Sequence, residues 1–573
     1  MKLARLTSFL IGFVLLSFVP SFAEVPGDLQ LVDVIAVDGV GDAEGLNPAA
    51  DVLSVGVYRS TETGAAFLRV SFLSLTENVP GQLARAFVES GRPGRVEISI
   101  RDNQDGSVIN SAVLERDDHD FSPVEDKALT GARRHPSDPD ALYFPLPADA
   151  LAAASSVDPW RITVMADPGT GPRDVILASF PADKVYEAHC AFVLHGNQGI
   201  GYTDVLHGRS DDLEGSGFDE AMQAHETNSV PGNFHMSGTL MTSAEWSARN
   251  GDPVDFNAWL ATGVTAGWAG MLTSAYGQHM MPFVNNEMND WSVNIQAQMV
   301  NTFYGYTPTV AWVPERVWLN TSGYPSSGVN DWIGDNWLGH GVNGVILDDD
   351  VHLTGHDNHQ IHTLAANGLR LIPRDRTFTG NIIGGNGQGS LDILTGLAGS
   401  GVGEFRIAVF AEDWEAVAEM GGWAGIVPNA KETYDWMIAK CATESAWLHT
   451  WKLADALANP NFNGSSITVT PGTYNEIGGF DGYGGADNSW YGHWAGFIPF
   501  ANGGDVNGTC AGGGGNCKNY GTLWNEAYTA LLAAPNNNIS QAGWYVMMTN
   551  LHETAWHDYM GGPISGWQHK YSA

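Results

Sequence analysis

In the first third of the chain, apolar and polar positions alternate with a period of two, which is the pattern of half-buried strands. Val52-Leu53-Ser54-Val55-Gly56-Val57-Tyr58 and Phe67-Leu68-Arg69-Val70-Ser71-Phe72 flank a Thr-Glu-Thr-Gly turn. Val96-Glu97-Ile98-Ser99-Ile100, a turn over 102–106 and Val108-Ile109 make a second hairpin, and Trp160-Arg161-Ile162-Thr163-Val164 a later strand. Residues 24–185 therefore read as a β-sandwich accessory domain.

From residue 186 the period is lost, and short apolar runs alternate with helically spaced stretches. Ala191–Leu194, Phe234-His235-Met236, Val310–Val313, Gly344–Leu347, Leu369–Ile372 and Ile407–Phe410 are the runs. Strands apolar on both faces belong to parallel sheets covered by helices, and several of these runs end in His, Glu or Asp. Residues 186–430 thus read as an α/β catalytic region. Thr433–Leu457, Leu523–Leu532 and Ile539–Trp556 carry helical spacing around a Gly/Asn-rich insert near 459–520, so 431–573 reads as a C-terminal helical domain.

Residues 1–23 stand apart. Lys2 and Arg5 precede the apolar run Phe9–Leu16, and Ser21-Phe22-Ala23 supplies the small residues of a cleavage site. Cleavage after Ala23 would make the mature protein periplasmic or secreted. No later segment has ~18 uninterrupted apolar residues, so no membrane partner is expected after signal removal.

The 573 residues, 43% hydrophobic, suffice for a large core and an accessory domain. Sixty-four Asp and Glu against 27 Lys and Arg give a formal net charge of −37. That charge disfavours nucleic acid and anionic membranes and suits a neutral polymer. The 20 tryptophans point the same way, since sugar rings stack on indoles. Of four cysteines, Cys510 and Cys517 bracket a glycine-rich ring that a disulfide can close in an exported protein. For Cys190 and Cys441, spacing decides nothing.

Candidate chemistry lies in two segments. Thr309–Trp318 sets Glu315 and Arg316 inside an apolar, aromatic run, where a carboxylate is costly to bury without compensation. An internal ion pair is one meaning of such an adjacent acid and base. A second strand, Phe405–Ala411, ends in Glu412, Asp413 and Glu415, with Trp414 among them. Carboxylates at the C-terminal ends of two strands can meet in one barrel mouth, an arrangement suited to glycoside cleavage. Spacing alone leaves Glu412, Asp413 and Glu415 as rivals for one role.

Other chemistries fare worse. The chain has no Gly-x-Ser-x-Gly elbow and no lysine between Lys184 and Lys431. His352, His356, His359 and His362 have spacings that could hold a cation, as in a metal-dependent polysaccharide deacetylase, but no strand-borne Asp pair is fixed beside them. His552 and His557 are five apart instead of four, unlike a zinc-protease helix. No metal or other cofactor is expected. A non-catalytic carbohydrate-binding protein would keep the tryptophans without needing Glu315 and Asp413 together.

In order along the chain, His195-Gly196-Asn197, Gly277-Gln278-His279, Trp312-Val313-Pro314-Glu315-Arg316-Val317, Glu412-Asp413-Trp414-Glu415 and Trp556-His557 resemble the five motifs of glycoside hydrolase family 57. The third and fourth fit best. The first departs from the family's His-Gln-Pro, and Glu553 stands where the family often has Asp. The resemblance implies an incomplete (β/α)7 barrel with a helical bundle at its mouth, acting with retention on α-glucan or related α-glycosides. It makes Glu315 the nucleophile and Asp413 the acid/base. It also implies His195, His279, Trp312, Arg316, Trp414, Trp423, Glu553, Trp556 and His557 as substrate contacts.

Overall fold

The computed structural model describes residues 29–38, 51–73, 83–89, 95–102, 109–116, 126–128, 133–135, 138–146, 160–167, 174–180, 186–197, 206, 217–252, 254–279, 281–283, 286–318, 332–418 and 429–470, together with 529 and 533. Residues 1–23, expected to be a signal segment, together with Trp423, Cys510, Cys517, Glu553, Trp556 and His557, lie outside the described residues, as do the helices expected after 520 apart from 529 and 533.

The N-terminal strands are β1 (Leu29–Val37), β2 (Val52–Ser60), β3 (Ala66–Phe72), β4 (Leu83–Glu89), β5 (Arg95–Asp102), β6 (Ile109–Arg116), β7 (Asp126–Ala128), β8 (Arg133–His135), β9 (Asp138–Leu146), β10 (Trp160–Asp167) and β11 (Asp174–Phe180). They form two sheets, β1-β2-β3-β9-β8 and β11-β10-β4-β5-β6-β7. Every pairing is antiparallel.

The second region is mixed α/β with parallel strands, consistent with a partial (β/α) barrel. Its strands are β12 (Ala188–Gly196), β13 (Gly232–Met236), β14 (Ala269–Met271), β15 (Val310–Trp312), β16 (Gly344–Asp348), β17 (Ile361–Leu364), β18 (Arg370–Arg374) and β19 (Ile407–Asp413). One parallel path runs β14-β13-β12-β19 and another β15-β16-β18. The paths meet at two seams. At one, Thr273 bridges to β15, its N–H donating to Val310 O (3.0 Å) and its O accepting from Trp312 N (2.9 Å). At the other, Asp375 N donates to Val409 O (3.0 Å) and Arg374 Nε to Ala411 O (2.6 Å).

The period of two decides what faces inward. Ala191, Val193, Val310, Trp312, Ile346, Ile372, Val409 and Ala411 share one buried cluster. Their strand neighbours Cys190, Phe192, Leu194, Ala408 and Phe410 belong to another, packed against helical residues Phe378, Tyr434 and Met437. By the same parity His195 and Asp413 continue the inward row, and they are register partners across β12 and β19.

The boundary expected at 430 is not where the sheets end. After helix Ala430–Thr443, β20 (Leu448–Thr450) pairs with β12, and β21 (Asn463–Ile467) with β17. The two regions are also joined. Buried Arg69 of β3 meets Asp138 (Nε to Oδ2, 2.8 Å) and Glu444 (Nη1 to Oε2, 3.7 Å), and Lys440 Nζ donates to Leu73 O (3.0 Å). The N-terminal strands are thus docked on the α/β region rather than appended to it.

Candidate active site

The C-terminal ends of β12, β15, β16, β18 and β19 deliver the polar side chains. Beyond β15 the chain enters a single 3-10 turn, Pro314–Arg316, in which Glu315 (φ 49°, ψ 20°) and Arg316 (φ 43°) are both left-handed. Gln278 of the second motif is left-handed too, at φ 49°. Non-glycine residues held there carry strain of order 1 kcal/mol or more, and such strain concentrates at functional sites. Val313 and Trp318, buried in one core cluster, flank this turn.

A buried ionic chain underlies the turn. Arg316 Nε donates to Asp348 Oδ2 (3.0 Å), Arg374 Nη1 to Asp348 Oδ1 (3.4 Å) and Arg374 Nη2 to Glu412 Oε2 (2.6 Å). It crosses β16, β18 and β19 and ends on the residue before Asp413. Burial alone would raise the Asp348 carboxyl, but Arg316 and Arg374 outweigh it and hold it below its ordinary value. Asp348 N also donates to His352 Nδ1 (3.2 Å).

Beside this chain the Trp312 ring stacks on His195, with centroids 4.3 Å apart and planes at 10°, and the Arg316 guanidinium lies 4.9 Å over it. His195 Nδ1 faces His235 Nδ1 at 2.8 Å, so one donates and the other accepts. Both rings are pushed toward the neutral form. Burial, then His235 and Arg316, pushes His195 far down, and burial takes His235 to about 3.

The acids are driven the other way. Burial comes first in pushing the Asp413 carboxyl well above its ordinary value, followed by the charges of Glu412, Glu415 and Glu315. Glu415 rises to about 7, through burial and then Glu412 and Glu315. A carboxyl on the inward row whose proton affinity is raised in part by the charge of Glu315 therefore stands at the strand ends. Glu412, the third rival, is held by Arg374 and accepts from Asp413 N (Oε1, 3.0 Å), so both of its oxygens are engaged within the fold.

Three expected sugar contacts are differently placed. Trp414 is fully buried and stacked on Phe218 (4.5 Å, 4°), with Phe234 and Phe256 against it, so it is a core residue and offers no face to a sugar. Trp312 is buried beneath His195 and Arg316 and positions them instead. His279 is buried with Nε2 on Asn289 Oδ1 (2.6 Å), and burial lowers it to about 4.

Three of the four histidines have separate partners, His352 turning to Asp348, His359 to Asp375 (2.8 Å) and His362 to Asp357 O (2.8 Å), while the His356 ring lies 5.5 Å from that of His362. Among the described residues no group of three or more His, Cys, Asp or Glu side chains is arranged to hold a metal ion. Asp348, Arg374 and His235 were missed by sequence reasoning. Asp348 and Arg374 each follow an apolar strand directly, the same signal that singled out Glu412 and Asp413.

No family model matches the chain, and no curated protein does. Solved structures give only partial likenesses. A 4-alpha-glucanotransferase from Thermococcus litoralis is 16% identical over 51% of this chain, with a TM-score of 0.41, and the chain spans 43% of that protein's length. A GH57 branching enzyme from Thermococcus kodakaraensis is 9% identical, covering 64% of this chain and 90% of that one, with a TM-score of 0.42. A family 4 carbohydrate esterase from Streptomyces lividans is 10% identical, covering 49% and 98%, with a TM-score of 0.25.

Proposed function

We propose that the protein cleaves or transfers α-glycosidic bonds with retention, Glu315 being the nucleophile and Asp413 the acid/base, and that its substrate is an α-1,4-glucan or related α-glycoside. The observation that carries this reading is the place of the Asp413 carboxyl on the inward row, opposite His195, where desolvation and the charges of Glu412, Glu415 and Glu315 raise its proton affinity. A retaining glycosidase needs one carboxyl that holds a proton and one carboxylate that attacks. Glu315 would attack the anomeric carbon while Asp413 protonates the departing glycosidic oxygen. In the second step Asp413, now a carboxylate, would take a proton from water or a sugar hydroxyl as that oxygen displaces Glu315. The substrate class rests on the motif resemblance.

The test uses azide as a small substitute nucleophile. Glu315→Gln and Asp413→Asn should each lower turnover on amylose, pullulan or an aryl α-glycoside by several orders of magnitude. In Glu315→Ala, azide should yield a β-glycosyl azide, and in Asp413→Ala an α-glycosyl azide. Near-wild-type turnover in either carboxamide variant would remove that residue from its role. Abolition of activity by a chelator, with rescue by zinc, would replace the carboxylate mechanism with a metal-activated water.

Export belongs to the same proposal and rests on the charge and apolar pattern of residues 1–23. The mature protein should begin at Glu24, which N-terminal sequencing reads directly.

A further inference from the structure

Cys190 and Cys441 stand 251 residues apart in the chain, yet their sulfurs lie 3.8 Å from one another in the protein interior. Cys190 is near the start of β12, on its outward row, and Cys441 is in the last turn of helix Ala430–Thr443. Both side chains are buried in one apolar cluster, with Phe192, Tyr434, Met437 and Ile438 around them. Thr450 Oγ1 is the other polar neighbour of Cys190, also at 3.8 Å. No metal ligand set surrounds the two sulfurs among the described residues.

We propose that Cys190 and Cys441 form a disulfide in the mature protein. A disulfide needs its sulfurs at about 2.05 Å, so closure asks for an approach of about 1.8 Å, which side-chain rotation can supply at two facing thiols. The reaction is thiol–disulfide exchange with a small disulfide oxidant. The Cys190 thiolate attacks it, giving a mixed disulfide and one released thiol. The Cys441 thiolate then displaces the second half, so the oxidant leaves as two thiols and the Sγ–Sγ bond remains. Two protons are lost from the cysteines and two electrons pass to the oxidant.

Exchange has to occur before the core closes. Burial in an apolar cluster suppresses the Cys190 thiolate, and it is the thiolate that reacts. Once formed, the bond would tie the central strand of one parallel sheet to the helix that carries Lys440, whose Nζ reaches Leu73 O of the N-terminal region.

The experiment is refolding of the full chain from denaturant with oxidised and reduced glutathione, followed by alkylation in denaturant without reductant and peptide mapping by mass spectrometry. A peptide joining 190 to 441 is the expected result. Alkyl groups on both cysteines, or either one joined to Cys510 or Cys517, would overturn the proposal. A stability measurement separates the bond from mere packing. In the oxidised state Cys441→Ala and Cys190→Ala should each lower the thermal midpoint by roughly 5–10 °C, and the double variant by little more than either. Additive losses, unchanged by reductant, would show that the two residues act only as core fillers.

Discussion

Arg69→Met tests how firmly the N-terminal strands are bound to the α/β region. Arg69, Asp138 and Glu444 are 3%, 1% and 2% exposed, so the triad is out of water. Burial opposes the Arg69 charge, yet Glu444 and Asp138 raise its proton affinity well above the ordinary value. Glu444 also accepts from Trp447 Nε1 (3.0 Å), Ser54 Oγ (3.2 Å) and Ser71 Oγ (3.4 Å), while Tyr143 donates its hydroxyl to Asp138. Methionine keeps the apolar stem and removes the charge, leaving two buried carboxylates without a cation. Breaking a buried pair in this way costs about 3–5 kcal/mol, against a few tenths for an exposed pair such as Arg249–Glu245, whose arginine is 76% exposed. The sign with pH is fixed. In the variant the folded-state carboxyls bind protons more tightly than the unfolded ones, so the deficit is largest at neutral and alkaline pH and shrinks as they protonate in acid. Urea denaturation followed by tryptophan fluorescence at pH 8 and pH 5 reads both effects. A loss under about 1 kcal/mol at pH 8, or one that does not shrink at pH 5, would refute the account.

Glu415→Gln should stabilise the protein at pH 8 by on the order of 2–3 kcal/mol and leave it unchanged at pH 4, since a carboxyl raised from 4.5 to about 7 weakens the fold only as pH climbs between those values. Denaturation at the two pH values checks it, and the variant should keep turnover if Asp413 is the acid. Glu412→Gln, nearly isosteric, should instead cost about 3 kcal/mol or more by leaving Arg374 short of a partner, and the alkaline limb of the pH–rate profile should move down because one charge raising Asp413 is gone. Gly238→Ala should destabilise by about 1–3 kcal/mol, because its Cβ would lie 1.9 Å from Cδ2 of the buried Tyr276 ring. A thermal midpoint within 1–2 °C of wild type, a shift worth about 0.5 kcal/mol, would refute that last expectation.

Much of the α/β region is legible because its strands are short apolar runs with distinctive ends. The runs containing Phe192, Trp312, Ile346 and Phe410 are strands β12, β15, β16 and β19, and Glu412 and Asp413 stand at the end of the last. Choosing between those two acids was beyond the sequence, because a strand apolar on both faces has no period to show which row points inward. Only the neighbours in space, Ala191 and Ile372 on one side and Phe378 and Tyr434 on the other, define the rows. The fourth motif implies Trp414 as a sugar contact, but the first turn after β19 aims it at Phe218. Strands β20 and β21, reading Leu-His-Thr and Asn-Gly-Ser-Ser-Ile, carry almost no apolar signal, so neither is legible as a strand in the sequence. The Arg316–Asp348–Arg374–Glu412 chain depends on the register of parallel strands, which no local pattern records.

The position of β12 sets a clock on folding. It is the first strand of its sheet to be synthesised, and its bonded neighbours are residues 232–236, 407–413 and 448–450. Its pairing with β13 can form early, but the other edge stays open until more than two hundred further residues are made. Closing so long a loop before its contacts form makes assembly slow and leaves an apolar strand edge exposed meanwhile. Chaperones that mask the strand should therefore raise the yield of native protein far more than they speed its final collapse. Moving the chain ends by circular permutation into the segment before β19, so that 407–450 is made ahead of β12, should shorten the wait and lower aggregation during refolding.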